Sequence, residues 1–168
     1  MNLFGYGETS PWQKYKRQTL KDQAALVIAI AETLEEPVSL VGHSFGGSVA
    51  MKAALNLNER VKRLILIEPN PFYLLNNHGR TEAYSDISLL GEFVKKFGNV
   101  GEWTKVAAKF VDYWNSEGSW ELLSNQHRAN LTETLKPIIY EWDAVLGCED
   151  DISEWRKFLG RMLVLQGC

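Results

Sequence analysis

A Gly-x-Ser-x-Gly pattern that follows a short apolar run constrains this chain more than any other stretch. Residues 37–41 are mostly apolar and β-prone, and they lead directly into residues 42–46, whose sequence is Gly-His-Ser-Phe-Gly. A helix-compatible run, residues 48–57, comes next. A strand, a sharp turn and a helix in this order are typical of a nucleophile elbow, which carries a serine at its apex. The pattern predicts that Ser44 stands on a tight bend at the end of a strand.

The residues beside Ser44 fit this prediction. Gly42 and Gly46 are expected to be small so that strand and helix pack closely around a strained serine. The backbone N–H of Phe45 is expected to point to the place where an oxyanion would form. An ordinary glycine-rich loop between a strand and a helix is the alternative. A phosphate-binding loop is disfavoured, because the chain has neither Gly-Lys-Ser/Thr nor G-x-G-x-x-G.

Several stretches together resemble the α/β-hydrolase superfamily. Residues 38–47 resemble its fifth strand and elbow, and residues 61–69 resemble its sixth strand. Residues 3–10 are similar to the loop after its fourth strand, and residues 163–167 to its seventh strand. The resemblance implies an α/β fold in which a partial parallel sheet of about three strands is flanked by helices and carries a helical cap insertion.

The resemblance also suggests a division of the chain. Residues 1–71 and 158–168 are predicted to form a partial hydrolase core, and residues 72–157 a helical cap. Within the core, Thr19-x-x-Asp22 resembles a capping box. Apolar residues at helical spacing follow it as far as Leu34, which predicts a helix that lies on the sheet.

Helical patterns dominate the predicted cap. Residues 87–97 are one candidate helix, residues 103–114 carry an apolar stripe at spacings of three and four, and residues 138–146 follow Pro137. Five of the six tryptophans lie beyond residue 100, so their role matters for the site. They either form the core of the cap or line an apolar substrate pocket.

The resemblance implies further catalytic groups, which in this family follow the serine in the order acid and then histidine. The family's histidine and usual acid would come after the last residues of this chain, and its second oxyanion donor before Met1. We therefore expect the chain to lack both ends of the family fold. Three histidines within the chain are weak substitutes for the base: His43, His78 and His127. The side chain of His43 is expected to point away from Ser44. Glu68 ends a strand where some family members carry their acid, or else it is a loop carboxylate.

These features lead to one functional hypothesis and two alternatives. The hypothesis is a hydrolase-type chain that attacks an ester or similar carbonyl through Ser44, with little activity by itself; lyases and cofactor-free peroxidases of the same family share the elbow. One alternative is a binding or structural protein derived from a shortened hydrolase. The other is an accidental product, such as a truncated reading frame or a segment of a longer enzyme.

Composition restricts the partners. The net charge is −3 and no basic run is present, which argues against nucleic acid and anionic membranes. No metal-binding spacing occurs, so no cofactor is expected. No leader or membrane-spanning run is evident, and Cys148 and Cys168 are predicted to be free thiols in the cytoplasm. We expect a small apolar substrate, and possible self-association through residues 37–41 as an exposed strand edge.

Overall fold

A three-stranded parallel sheet forms the centre of the structure, which is a computed structural model that describes residues 1–13, 15–148 and 150–167. Its strands are β1 (Val38–His43), β2 (Val61–Ile67) and β3 (Arg161–Leu165), and they lie in the order β1-β2-β3. His43 pairs with Ile67, and Ile67 pairs with Leu165. The three carboxyl ends therefore meet at one edge of the sheet. This confirms the predicted α/β class and the partial parallel sheet.

Seven α-helices surround or follow the strands within the described residues. Two precede β2, and five lie between β2 and β3, where short 3-10 helices also occur at 119–122 and 152–157. The helices are α1 (Leu20–Glu32), α2 (Phe45–Leu57), α3 (Tyr73–Asn77), α4 (Thr81–Gly98), α5 (Trp103–Trp114), α6 (Asn125–Thr134) and α7 (Ile138–Leu146).

The start of α1 is the predicted capping box. Thr19 Oγ1 accepts the Asp22 N–H at 3.2 Å, and Asp22 Oδ2 accepts the Thr19 N–H at 3.0 Å. The C-terminal end differs from the prediction, because the helix stops at Glu32 and Leu34 is 49% exposed. The helix packs against α2, and its residues Ile28 and Ala31 also pack in the apolar cluster over the sheet.

Helix α2 covers one face of the sheet and leaves the other open. Leu64 and Leu66 of β2 are buried under it, whereas Arg63, which precedes Leu64 and lies on the opposite face, is exposed. The outer strand β1 shows the same alternation, and Val41 is 63% exposed. Among the described residues β1 is an outer strand of the sheet, and association through its edge stays a prediction.

The helical segment, residues 72–157, shares its core with the helices before it. Val94, Val106 and Trp142 from this segment belong to the same buried cluster as Ala24 of α1 and Val49 of α2. The cluster accounts for the apolar stripes of α4, α5 and α7. Helices α5 and α7 have the predicted bounds, whereas α4 begins at Thr81, six residues before the predicted start. The division into a core and a cap stays a prediction.

Two further observations concern the sequence-based expectations. Cys148 is a free thiol, and Cys168 lies outside the described residues. Within the described part of the chain, we find no helix with the length and apolar character needed to cross a bilayer.

Candidate active site

Ser44 lies on the bend between β1 and α2. Its φ of 51° and ψ of −123° place a residue with a side chain in a region that is normally reserved for glycine. Hydrogen bonds hold the bend on both sides. The Ser44 N–H donates to Ile67 O at 3.0 Å, and the N–H groups of Gly47 and Ser48 donate to Ser44 O at 2.9 and 3.2 Å. The strained conformation is therefore fixed by the sheet and by the first turn of α2.

The glycines around the bend have different roles. A Cβ on Gly42 would lie 2.4 Å from Gly46 O and 2.7 Å from Gly47 Cα, so no side chain fits there. A Cβ on Gly47 would lie 2.9 Å from Pro69 Cβ. A Cβ on Gly46 would meet nothing within 4 Å. The expectation that Gly46 must be small is therefore wrong, because it contributes backbone to the close contact and its own Cβ would face open space.

Phe45 is the first residue of α2 and is buried. A helix leaves its first N–H groups without an intrahelical carbonyl, and the positive end of the helix dipole lies there. The Phe45 N–H is thus one of the donors beside Ser44 that can stabilise negative charge. The oxyanion role of Phe45 remains a prediction.

Glu68 follows β2 directly and also has a positive φ, of 45°. Its N–H donates to Leu165 O at 2.8 Å, and its Oε1 accepts the Gly167 N–H at 3.1 Å. Its other carboxylate oxygen, Oε2, lies 3.8 Å from His43 Nε2, and both side chains are more than half exposed. The sequence did not predict this pairing of Glu68 with His43, which arises because β1 and β2 are neighbours in register.

A cavity of about 690 Å³ opens at the carboxyl edge of the sheet, and we call it the outer cavity. Its polar wall includes His43, Ser44 and Glu68. Its apolar wall includes Phe72 and Trp114 from the helical segment. The structure therefore brings the predicted residues Ser44 and Glu68 to one site. His78 follows α3 and His127 lies in α6, and neither lines this cavity.

A smaller space of about 40 Å³, the inner recess, adjoins the outer cavity. Five residues line both spaces, and four line the recess alone. The shared residues are Ser44, Asn70, Phe72, Phe110 and Trp114, and the others are Ile138, Glu141, Trp142 and Val145.

The aromatic residues divide between the two predicted roles. Phe72 stacks between Trp114 and Trp142, with ring centroids 6.2 and 6.0 Å apart, and all three line the recess. Trp103 instead packs beside Gly98 and Ile139. Trp114 and Trp142 thus line the recess, Trp142 and Trp103 also pack in the interior, and a role in substrate binding stays a prediction.

Two polar groups from the helical segment and the β2 loop complete the recess. Asn70 Oδ1 accepts a hydrogen bond at 2.9 Å from Ser48 Oγ, which is fully buried in α2. Glu141 Oε1 accepts one at 2.5 Å from the hydroxyl of Tyr6 in the N-terminal loop. Burial raises the pKa of Glu141 to about 7, although the Tyr6 hydrogen bond acts in the opposite direction. Burial and the Glu141 carboxyl also raise the pKa of Tyr6.

Glu141 was missed by the sequence analysis. The signal was present, because an acidic residue interrupts the apolar stripe of residues 138–146. A carboxylate within an apolar helix face is either paired or neutral. Among the residues that the structure describes, no three His, Cys, Asp or Glu side chains converge in a way that could hold a metal ion.

Comparison with known proteins agrees with this architecture. The model of the alpha/beta hydrolase fold family matches residues 1–136. A 2-hydroxymuconate semialdehyde hydrolase from Pseudomonas sp. (strain CF600) is 40% identical over 65 residues, which are 38% of this chain and 22% of that protein. The dihydrolipoyllysine-residue acetyltransferase component of the acetoin cleaving system from Cupriavidus necator is 35% identical over 85 residues, which are 50% of this chain and 22% of that protein.

A solved structure shows the same fold over nearly the whole chain. It is a probable hydrolytic enzyme from Pseudomonas aeruginosa PAO1, with a TM-score of 0.57 and 18% sequence identity. The similarity covers 99% of this chain and 54% of that one. The chain thus spans about half the length of this structural relative, and the matches span about a fifth of the two curated ones.

Proposed function

The chain belongs to the alpha/beta hydrolase fold family, and on that premise we propose that Ser44 is the nucleophile of a hydrolase acting on an ester or similar carbonyl compound. The observation that carries the proposal is the position of Ser44. It lies at the carboxyl end of β1 in a strained conformation, and it lines a 690 Å³ cavity. Strain of this kind is concentrated at functional sites. One relative is named as a hydrolase, which supports the same class of reaction.

The proposed reaction has two steps. Ser44 Oγ attacks the carbonyl carbon while its proton passes to a base, and the carbonyl oxygen becomes an oxyanion that the Phe45 N–H stabilises. The alcohol then leaves with a proton, and an acyl group remains on Ser44. Water adds to this acyl group, releases the carboxylic acid and restores the serine.

Glu68 is the proposed acid, and its proposed task is to orient an imidazole base. Its Oε1 is held by the Gly167 N–H, which leaves Oε2 directed towards His43. The distance of 3.8 Å from Oε2 to His43 Nε2 is longer than a hydrogen bond, so His43 is not fixed as a catalytic base would be. Loss of a triad base lowers the rate by about 10⁴-fold or more. We therefore propose that the chain alone has little hydrolase activity and that efficient hydrolysis belongs to a full-length fold.

The walls of the cavity suggest the kind of substrate. Phe72, Phe110 and Trp114 line both the outer cavity and the inner recess, so an aromatic wall extends from one space to the other beside Ser44. Ligand pockets with walls of this kind bind apolar groups and use a few polar atoms for orientation. The proposed substrate is accordingly a small molecule with an apolar body.

Labelling with a fluorophosphonate tests the role of Ser44. The purified chain is incubated with the probe, and the modified serine is identified by peptide mass spectrometry. We expect slow labelling that is selective for Ser44 and is lost in Ser44→Ala. Ser39→Ala is the matched control, because Ser39 is an exposed serine on the same strand and should not affect the adduct.

Three other outcomes would contradict parts of the proposal. Adducts spread evenly over several serines would show that Ser44 is not activated. Absence of any adduct would favour the alternative, a protein that retains the cavity for binding without chemistry. Labelling of Ser44 as fast as that of an efficient serine hydrolase would contradict the low activity of the chain alone.

A further inference from the structure

We propose that the inner recess is a subsite for one uncharged hydrogen-bonding group of the ligand, with Glu141 as its hydrogen-bonding partner and Tyr6 as the residue that positions Glu141. The inference deepens the proposed function and rests on it, because it assumes that ligands occupy the cavity beside Ser44. It narrows the substrate class to compounds with an apolar body and a neutral polar end group, such as an amide or an alcohol.

The size of the recess limits what can enter. Its volume of about 40 Å³ exceeds the roughly 10–15 Å³ that one water-sized group requires. It is far smaller than the outer cavity of about 690 Å³. An apolar body would therefore occupy the outer cavity, and only a small terminal group would reach Glu141.

Two polar side chains that line the recess, Glu141 and Trp142, have hydrogen-bonding atoms without a partner among the described residues. The Tyr6 hydroxyl engages Glu141 Oε1, and among the hydrogen bonds of the described residues none involves Glu141 Oε2. Trp142, which also lines the recess, is buried, and its indole Nε1 has no hydrogen-bond partner among the described residues. A buried indole N–H such as that of Trp142 is costly unless a partner satisfies it. A small ligand group that both donates and accepts would supply one.

The charge environment favours a neutral group. Of the residues found to line the recess, Glu141 is the ionisable one, and Tyr6 is the titratable group in contact with it. Neighbouring charges are paired elsewhere. Asp143 on the same helix binds Lys95 of α4 at 2.5 Å, and Lys52 of α2 binds Asp150. An anionic ligand group would thus meet a carboxyl that has no ion-pair partner among the described residues, and would be repelled once Glu141 ionises.

Binding of two matched aliphatic probes tests the inference. Hexanamide and hexanoate have the same carbon chain and differ in charge. Both are titrated at pH 6 and pH 8, with tryptophan fluorescence as the signal because Trp114 and Trp142 line the recess. The Ser44→Ala chain is used so that no turnover occurs. We expect hexanamide to bind about tenfold more tightly than hexanoate at pH 8, and the ratio to decrease at pH 6.

Two variants assign the effect to Glu141. Glu141→Gln keeps the shape and removes the charge, so the tenfold preference at pH 8 should fall to about twofold or less. Tyr6→Phe should weaken hexanamide binding severalfold at pH 6, because Glu141 loses its fixed orientation. Glu133→Gln is the matched control, because Glu133 is an exposed residue of α6. It should leave the affinities for hexanamide and hexanoate unchanged.

The inference is overturned if Glu141→Gln retains the full preference, or if hexanamide does not bind at its solubility limit to a chain with a native circular dichroism spectrum. This outcome is separate from the labelling of Ser44, because binding is measured without that hydroxyl. Unselective labelling together with a preference that depends on Glu141 would leave the subsite standing and reject the nucleophile. Selective labelling of Ser44 without a preference for hexanamide would support the nucleophile and reject the subsite.

Discussion

Replacement of Gly42 by alanine tests the close contact between β1 and α2. The added Cβ would lie 2.4 Å from Gly46 O, 2.7 Å from Gly46 C and 2.7 Å from Gly47 Cα. All three atoms belong to the backbone of the first turn of α2, so no side chain can rotate away to relieve the clash. Either the strand or the helix must move, and the bend at Ser44 is the segment that joins them.

The expected cost follows from the geometry. Adding a methyl group to a well-packed interior typically costs about 1–3 kcal/mol. We expect the upper end, about 3 kcal/mol, because the contacts are with backbone. A domain of this size loses about 2–4 °C of melting temperature per kcal/mol, so Gly42→Ala should melt roughly 6–12 °C lower. Such a loss is a large part of an ordinary free energy of unfolding of about 5–15 kcal/mol.

Gly46→Ala is the matched control, four residues along the same loop. Its Cβ would meet nothing within 4 Å, and alanine is favoured over glycine inside a helix by up to about 1 kcal/mol. This variant should therefore be as stable as the parent or slightly more stable. Urea unfolding of both variants, followed by circular dichroism, gives the two free energies, and equal slopes show that the same surface is exposed. Equal stability of the two variants, or a less stable Gly46→Ala, would refute the assignment of the contact to Gly42.

Three further predictions concern stability and association. Thr19→Ala should cost about 1 kcal/mol in urea unfolding, because the Asp22 N–H loses its acceptor, Thr19 Oγ1. An unchanged midpoint would contradict the cap's contribution. Self-association through β1 should increase with protein concentration in sedimentation velocity. Val41→Lys should reduce it, because a charge on an edge strand opposes pairing between strands. A parent chain that stays monomeric at high concentration would rule out this association. Since the pKa of Glu141 is raised from 4.5 to about 7 in the folded chain, the unfolded chain loses this proton first, and stability should fall as pH rises from 4.5 to 7, by at most about 3 kcal/mol. Glu141→Gln should lack this part of the pH dependence, and an identical profile would show that another group causes it.

Local sequence signals predicted the elements that position the site. The apolar run before Gly42 and the small residues after Ser44 specified β1 and α2, and the observed β2 lies within residues 61–69, which resemble a strand of the family. The capping box at Thr19 was equally local, since both of its hydrogen bonds join residues three apart. Signals of this kind depend on neighbours in the chain, so a single sequence contains them.

What the sequence did not specify depends on contacts between distant segments. A Gly-x-Ser-x-Gly pattern does not tell which glycine faces backbone, and the structure places that constraint on Gly42 and Gly47 rather than on Gly46. The hydrogen bond that positions Glu141 in the recess comes from Tyr6, 135 residues earlier in the chain, and a local sequence pattern does not reveal such a contact. The end of α1 before Leu34 also escaped prediction, because the apolar spacing continued beyond the last helical residue.

The buried cluster that joins α1 and α2 to the helical segment has a consequence for how such a site could be altered. Val49 and Trp142 pack in the same buried cluster, so a rigid-body movement of the helical segment away from α2 would disrupt that cluster. Small molecules would have to enter and leave through the outer cavity as it stands, which Glu68 and Trp114 line. A protein engineer who wished to transplant the segment onto another scaffold would need to carry over the matching faces of both earlier helices.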